Sequence, residues 1–203
     1  LNTVCGIDLT NSDTGAITGS DAGGSSTKTA ESIVPENSDV SYPTTRTTTI
    51  DGLTVIWPSG RLSSAEQLVI YGLNSWWINS ALSLIEESYG MNFSETGTSV
   101  NTLQISFYNE NSSTLASTSW NIDASGKATT LCLNINMYYY NAIQSDNYNG
   151  LSSTASSIYL DRLIAHELTH AVMAANITSM SELPGFLKEG LAELTQGIDD
   201  ERT

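Results

Sequence analysis

The stretch Asp161–Asn176, DRLIAHELTHAVMAAN, decides how the rest of the chain is read, because it holds both histidines of the protein in one helical pattern. His166 and His170 stand four apart, with Glu167 beside the first. In a helix that spacing sets the two imidazoles about 40° apart and one turn along, so both reach a single metal ion. The His-Glu-x-x-His pattern is that of a zinc-binding helix. Glu167 projects to the same side, where a carboxylate is placed to take a proton from water in metal-assisted hydrolysis. Leu160, Leu163, Ile164, Leu168, Ala171, Val172 and Ala175 make a broad apolar band at spacings of three and four, uninterrupted by Gly or Pro. The helix is therefore predicted to be largely internal.

Two histidines need a partner, because a catalytic zinc usually takes three protein ligands and leaves one position for water. A third His six residues after the second, with a Gly between, is excluded: Asn176 and Met173 hold those positions. A carboxylate from a following helix is the alternative, and Leu183–Gly197, LPGFLKEGLAELTQG, offers one. Pro184 suits a first helical turn, Gly197 suits the stop, and Glu189 and Glu193 share a face. Glu189 stands nineteen residues after His170. Glu182, in the turn ahead of Pro184, and Asp199, Asp200 and Glu201, beyond Gly197, compete for the role but are less firmly placed than a helical Glu189.

A turn followed by a helix carrying the third ligand resembles the gluzincin class of metallopeptidases, which thermolysin represents, in His166, Glu167, His170 and Glu189. Three strings in this order, LCLNINMYYY (Leu131–Tyr140), YLDRLIAHELTHAVMAANI (Tyr159–Ile177) and LPGFLKEGLAELTQGIDDER (Leu183–Arg202), are similar to flagellinolysin. That family is a gluzincin-type peptidase domain in the surface-exposed variable region of some bacterial flagellins. The resemblance covers about Thr47–Thr203 and is absent over the first forty-odd residues. It implies a zinc-dependent endopeptidase acting on protein or peptide substrates outside a bacterium, as part of a larger surface or filament protein. Export through the flagellar apparatus would explain the absence of a signal peptide, and the start without Met and the end just past Arg202 read as a processed or excised piece. The resemblance further implies that Glu193 hydrogen-bonds one of the ligating imidazoles, His166 or His170, fixing its tautomer and raising its basicity. It also implies a sheet-edge strand that pairs with extended substrate through main-chain hydrogen bonds. Cys132, Leu133, Asn134, Ile135, Asn136 and Met137 are assigned to that strand, the other reading being an ordinary edge kept soluble by its Asn residues. For the oxyanion-stabilising group, Tyr138, Tyr139, Tyr140, Tyr148, Tyr159 and Arg202 are all eligible.

The composition narrows the function classes. A net charge of −15 with seven Lys and Arg repels phosphate backbones and anionic lipid, which disfavours nucleic-acid and membrane partners. No apolar run approaches the length of a membrane span. Abundant Ser, Thr, Asn and Gly with little Lys suits an extracellular surface. Cys5 and Cys132, the only cysteines, are able to close a long loop in an oxidising compartment. The acidic run Asp199–Glu201 reads as a solvated helix end rather than a calcium site.

Residues 1–45 are rich in Ser, Thr, Gly, Asp and Asn and read as an extension that cannot bury enough apolar surface by itself. The alternative is a propeptide-like segment over the cleft, with Cys5 as a zinc-blocking thiolate. The peptidase domain is placed at 46–203. Within it, TTTIDGLTVIW (Thr47–Trp57) reads as a hairpin turned at Asp51-Gly52. Ser63 and Glu66 form a capping box at the head of a long helix running to Gly90. Trp76 and Trp77 fall on its buried period. Leu103–Tyr108 and Leu131–Met137 alternate as half-buried strands, and Ser119–Asp123 reads as a further strand. The expected fold is α+β and zincin-like: a small twisted mixed sheet packed on a long helix, with an edge substrate strand, the His-Glu-x-x-His helix beneath it and a Glu-bearing helix behind. Two readings from other classes stand beside catalysis: a surface-display or adhesive domain with a closed structural zinc, and a structural module whose motif is coincidental.

Overall fold

The computed structural model describes residues 46–58, 60–143, 150 and 159–197, together with the backbone of three short strands nearer the N-terminus, β1 (Thr3–Val4), β2 (Ile7–Asp8) and β3 (Thr14–Thr18). The remaining strands are β4 (Thr47–Ile50), β5 (Leu53–Ile56), β6 (Thr102–Tyr108), β7 (Thr114–Ile122) and β8 (Ala128–Asn136). The helices are α1 (Ser64–Gly72), α2 (Ile78–Tyr89), α3 (Met137–Tyr140), α4 (Leu160–Asn176) and α5 (Gly185–Gln196). The class is α+β, with a mixed sheet and several helices, as expected.

Local chemistry accounts for most element boundaries. The β4–β5 hairpin turns on Asp51 (φ 45°) and Gly52 (φ 79°), two positive φ values in succession as a type I′ turn requires. The capping box at the head of α1 is reciprocal: Ser63 Oγ accepts from the Glu66 N–H at 3.2 Å, and Glu66 Oε2 accepts from the Ser63 N–H at 2.6 Å. The long helix expected from Ser63 to Gly90 is continuous but not uniform, since Leu73–Trp77 forms a π-helical segment between α1 and α2. Taken together, Ser64–Tyr89 is long and apolar enough to cross a bilayer by length and composition, which corrects the expectation that no such run exists. In this structure it is a core helix, with Val69, Ile70, Leu73, Trp77, Ile78, Ala81, Leu82 and Ile85 buried.

The five strands from Thr47 onward are ordered β7-β8-β6-β5-β4, and β3 adds a sixth along β7. The β5–β6 and β6–β8 pairs are parallel; β4–β5, β7–β8 and β3–β7 are antiparallel. The helical run Ser64–Tyr89 is the crossover between parallel neighbours β5 and β6, a connection too long for a hairpin. α4 lies against β7 and β8 and also packs on α2 and α5. Leu160, Leu163, Ile164, Leu168 and Val172 are fully buried there, each contributing about 1.5–3 kcal/mol relative to exposure.

This order corrects the assignment of Cys132, Leu133, Asn134, Ile135 and Asn136 to an edge strand. They lie in β8, paired on both sides, with Leu133 opposite Ile105 in β6 and Thr118 in β7. Met137 leaves the strand and opens α3. The asparagines read as solubilising are enclosed: the Asn134 amide donates to Ser117 O and Ser119 Oγ, and that of Asn136 to Glu110 O and Thr114 O. Their polarity satisfies neighbouring strands inside the protein, as buried amides must. Cys132 is disulfide-bonded and the described residues include no free cysteine. Cys5 itself lies outside the described residues.

Candidate metal centre

α4 contributes two donors from one turn, and nearly the whole helix is enclosed: His166 and Glu167 are 0% exposed and His170 1%. α5 supplies the third. A 3-10 turn, Met180–Glu182, reverses the chain after α4, and Pro184 sits at the N-cap of α5 rather than inside its first turn. Gly197 ends α5 in the left-handed conformation, φ 83°, with its N–H on Glu193 O and Leu194 O. Tyr89, at the end of α2, holds α5 in place. Its hydroxyl donates to Leu191 O at 2.9 Å and lies 3.2 Å from Thr195 Oγ1.

The result is a triangle of donor atoms. His166 Nε2 and His170 Nε2 are 3.2 Å apart, and each is 3.5 Å from Glu189 Oε2. An ion with bonds of about 2.0–2.2 Å and tetrahedral geometry requires donor separations of about 3.3–3.5 Å. The three residues fit a metal ion on that test, and they form the group that could hold one among the described residues. The Glu189 side chain is 43% exposed, so the triangle has a buried base and a solvent-facing corner.

Gln196, which the sequence reading did not single out, completes the His166 environment. Its Oε1 lies 3.0 Å from His166 Nδ1. An amide oxygen only accepts, so this contact suits the tautomer in which Nδ1 carries the hydrogen and Nε2 is left for a metal. Glu193 had been expected in this role. Among the described contacts it makes no hydrogen bond to either imidazole and acts on His166 through its charge. The signal for Gln196 was its place seven residues after Glu189, two turns along the same face.

Charge states follow from these contacts. The His166 and His170 imidazoles beside it hold the Glu189 carboxyl down at about 2. Burial would lower the His166 pKa, but Glu189, Glu167 and Glu193 outweigh it and the net shift is upward. Glu167 is pushed up by its complete burial, against the opposing pull of the two imidazoles and Thr118. Both Glu167 carboxylate oxygens, and His170 Nδ1, lack a hydrogen-bond partner among the described residues. Below Glu167, Thr118 Oγ1 of β7 donates to its main-chain carbonyl at 2.8 Å.

Of the eligible oxyanion groups, Tyr148 and Arg202 lie outside the described residues, as do Asp199, Asp200 and Glu201. Tyr139 donates its hydroxyl to Ser112 O, Tyr140 is fully buried, and Arg162 stacks over the Tyr159 ring at 5.5 Å. Tyr138 is 38% exposed. Tyr108, at the end of β6, donates its hydroxyl to Thr114 O at 3.5 Å; burial first, then Glu110 and Glu167, raise its pKa to about 12, so it stays protonated. No protein-family model matches this chain, and no curated protein or solved structure is significantly similar to it.

Proposed function

We propose that this chain is a zinc-dependent endopeptidase that hydrolyses peptide bonds of protein substrates. One observation carries the reading: a fully buried carboxylate, Glu167, with both oxygens unpartnered among the described residues, beside the two histidines of a three-donor cluster of metal-ligand spacing. A buried carboxylate without a partner is costly, and such groups concentrate where chemistry uses them. The N,N,O donor set suits zinc, and three ligands among the described residues leave room for water, whereas a closed structural site takes four.

When bound, zinc on His166, His170 and Glu189 would polarise a peptide carbonyl and acidify a water molecule. Glu167 takes one proton from the attacking water and later delivers it to the amine as the C–N bond breaks. Its raised pKa suits both halves of that exchange. Gln196 keeps His166 in the tautomer that ligates. An acidic surface leaves nucleic acid and anionic membranes as poor partners, and the disulfide at Cys132 suits a secreted or surface-displayed location.

The deciding experiment measures zinc content and cleavage of a denatured, generic protein by the wild-type chain, its Glu167→Gln variant and a chelated sample. One equivalent of zinc in both proteins, with cleavage lost in the variant and on chelation, is the expected outcome. Retained cleavage in Glu167→Gln removes the base from the mechanism, and zinc without cleavage in the wild type turns the reading toward a structural or adhesive metal domain.

A further inference from the structure

β7 is where the sheet meets the candidate metal centre. Its inner side pairs with β8, and Thr118 at its middle is bonded to the main chain of Glu167. α4 packs along it. Without β3, its outer side would be an open edge, with unpaired N–H and C=O groups running past the residue that carries the base. The N-terminal segment takes that edge. Gly15 pairs with Thr118, Ala16 with Ser117 and Ile17 with Ala116, all antiparallel, and the β3 backbone also comes against α4. The pairing is short, and its register slips between Ile17 and Thr18.

We propose that the outer edge of β7 is a docking edge for extended polypeptide and that Thr14–Thr18 is its occupant in cis, a strand that must leave before a protein substrate can lie beside Glu167. The inhibitory half of this inference rests on the peptidase reading above. Strand addition draws its affinity from main-chain hydrogen bonds, which any extended segment supplies. A segment of the same chain therefore competes with substrate on equal chemical terms but at an effective concentration of millimolar order. A short occupant with a slipped register is one that exchange can displace.

The test uses the full chain in two forms. Ile17→Pro removes a strand N–H and breaks the ladder, while Ala16→Cys/Ser117→Cys, oxidised, locks the registered pair together. The probe is a fluorescein-labelled peptide of residues 12–20, SDTGAITGS, followed by anisotropy. Cleavage of a denatured protein is followed in parallel, and wild type carried through the same redox steps controls for the native disulfide. We expect Ile17→Pro to bind the probe at least about tenfold more tightly than wild type and to cleave with a KM lowered by about as much at unchanged kcat. The locked form neither binds nor cleaves, and reduction restores both. Equal probe binding in all forms overturns the inference, and tighter binding with unchanged cleavage overturns its inhibitory half. Should no form cleave, the peptidase reading has failed instead, and probe binding that is gained in Ile17→Pro and lost in the locked form still establishes the cis-occupied edge. If Ile17→Pro does not fold, the locked form compared with its reduced state decides alone.

Discussion

At the scale of single residues, Glu167 and Gln196 carry the sharpest expectations. Glu167 is buried with a raised pKa, so its ionisation opposes folding. The sign follows from linkage. A carboxyl whose folded pKa lies above its unfolded value takes stability away as pH rises from about 4.5 toward the folded value, and takes nothing below that range. In the metal-free protein, Glu167→Gln should therefore match wild type near pH 4 and unfold at a higher temperature than wild type near pH 7.5. Thermal melts at the two pH values measure this, and a difference that does not widen with pH would show that the buried charge is not the cost. Gln196→Ala removes the acceptor from His166 Nδ1. Loss of such a supporting hydrogen bond lowers metal affinity by about 10–100-fold, which competition with a chromogenic chelator resolves. The ligand set itself was legible because its spacings are local: four residues along one helix, and a helix start and stop bracketing Glu189. Gln196 was not, because a neutral amide carries no charge to mark it and the acidic Glu193 drew the assignment instead.

At the scale of elements, sequence patterns found the helices and most strands but not their neighbours. The hairpin at Asp51-Gly52 and the box at Ser63 rest on chemistry within four residues, and both are present. The place of β8 rests on pairing with β7 and with β6, whose residues stand 28 positions away, and an alternating strand looks alike at an edge or in the middle when its polar side is filled by Asn. The π-helical segment was equally hidden, and with it the close approach it makes: the Trp77 ring lies where a Cβ on Gly72 would be, 2.5 Å from Cζ2. This sets two effects against each other. Ala in place of a helical Gly gains about 1 kcal/mol in propensity. Displacing a buried ring in a filled core costs about 1–3 kcal/mol, and Trp77 is only 3% exposed. Gly72→Ala should therefore be neutral to destabilising by up to about 2 kcal/mol in denaturant titration; a clear gain in stability would mean that the ring moves freely.

At the scale of the whole molecule, α5 packs chiefly on α4 and reaches the run Ser64–Tyr89 through Tyr89. Tyr89, Thr195 and the packing of α5 on α4 are the described ties. Phe186 and Leu194 stand largely exposed on its far side, so burial anchors one face alone. Removing the metal should raise hydrogen exchange across Gly185–Gln196 while leaving β6 and β8 unchanged. At free metal 100 times its dissociation constant, the protection gained is about 2.7 kcal/mol, or about a hundredfold in rate. Uniform change across the molecule would instead assign the metal to global folding. The two histidines are fixed on one rigid turn, and the third donor rides on a separate short helix. Metal affinity is thereby a ruler laid between α4 and α5: a substitution or a bound molecule that slides α5 by a fraction of an ångström registers as a change in dissociation constant, even where no ligand has been touched.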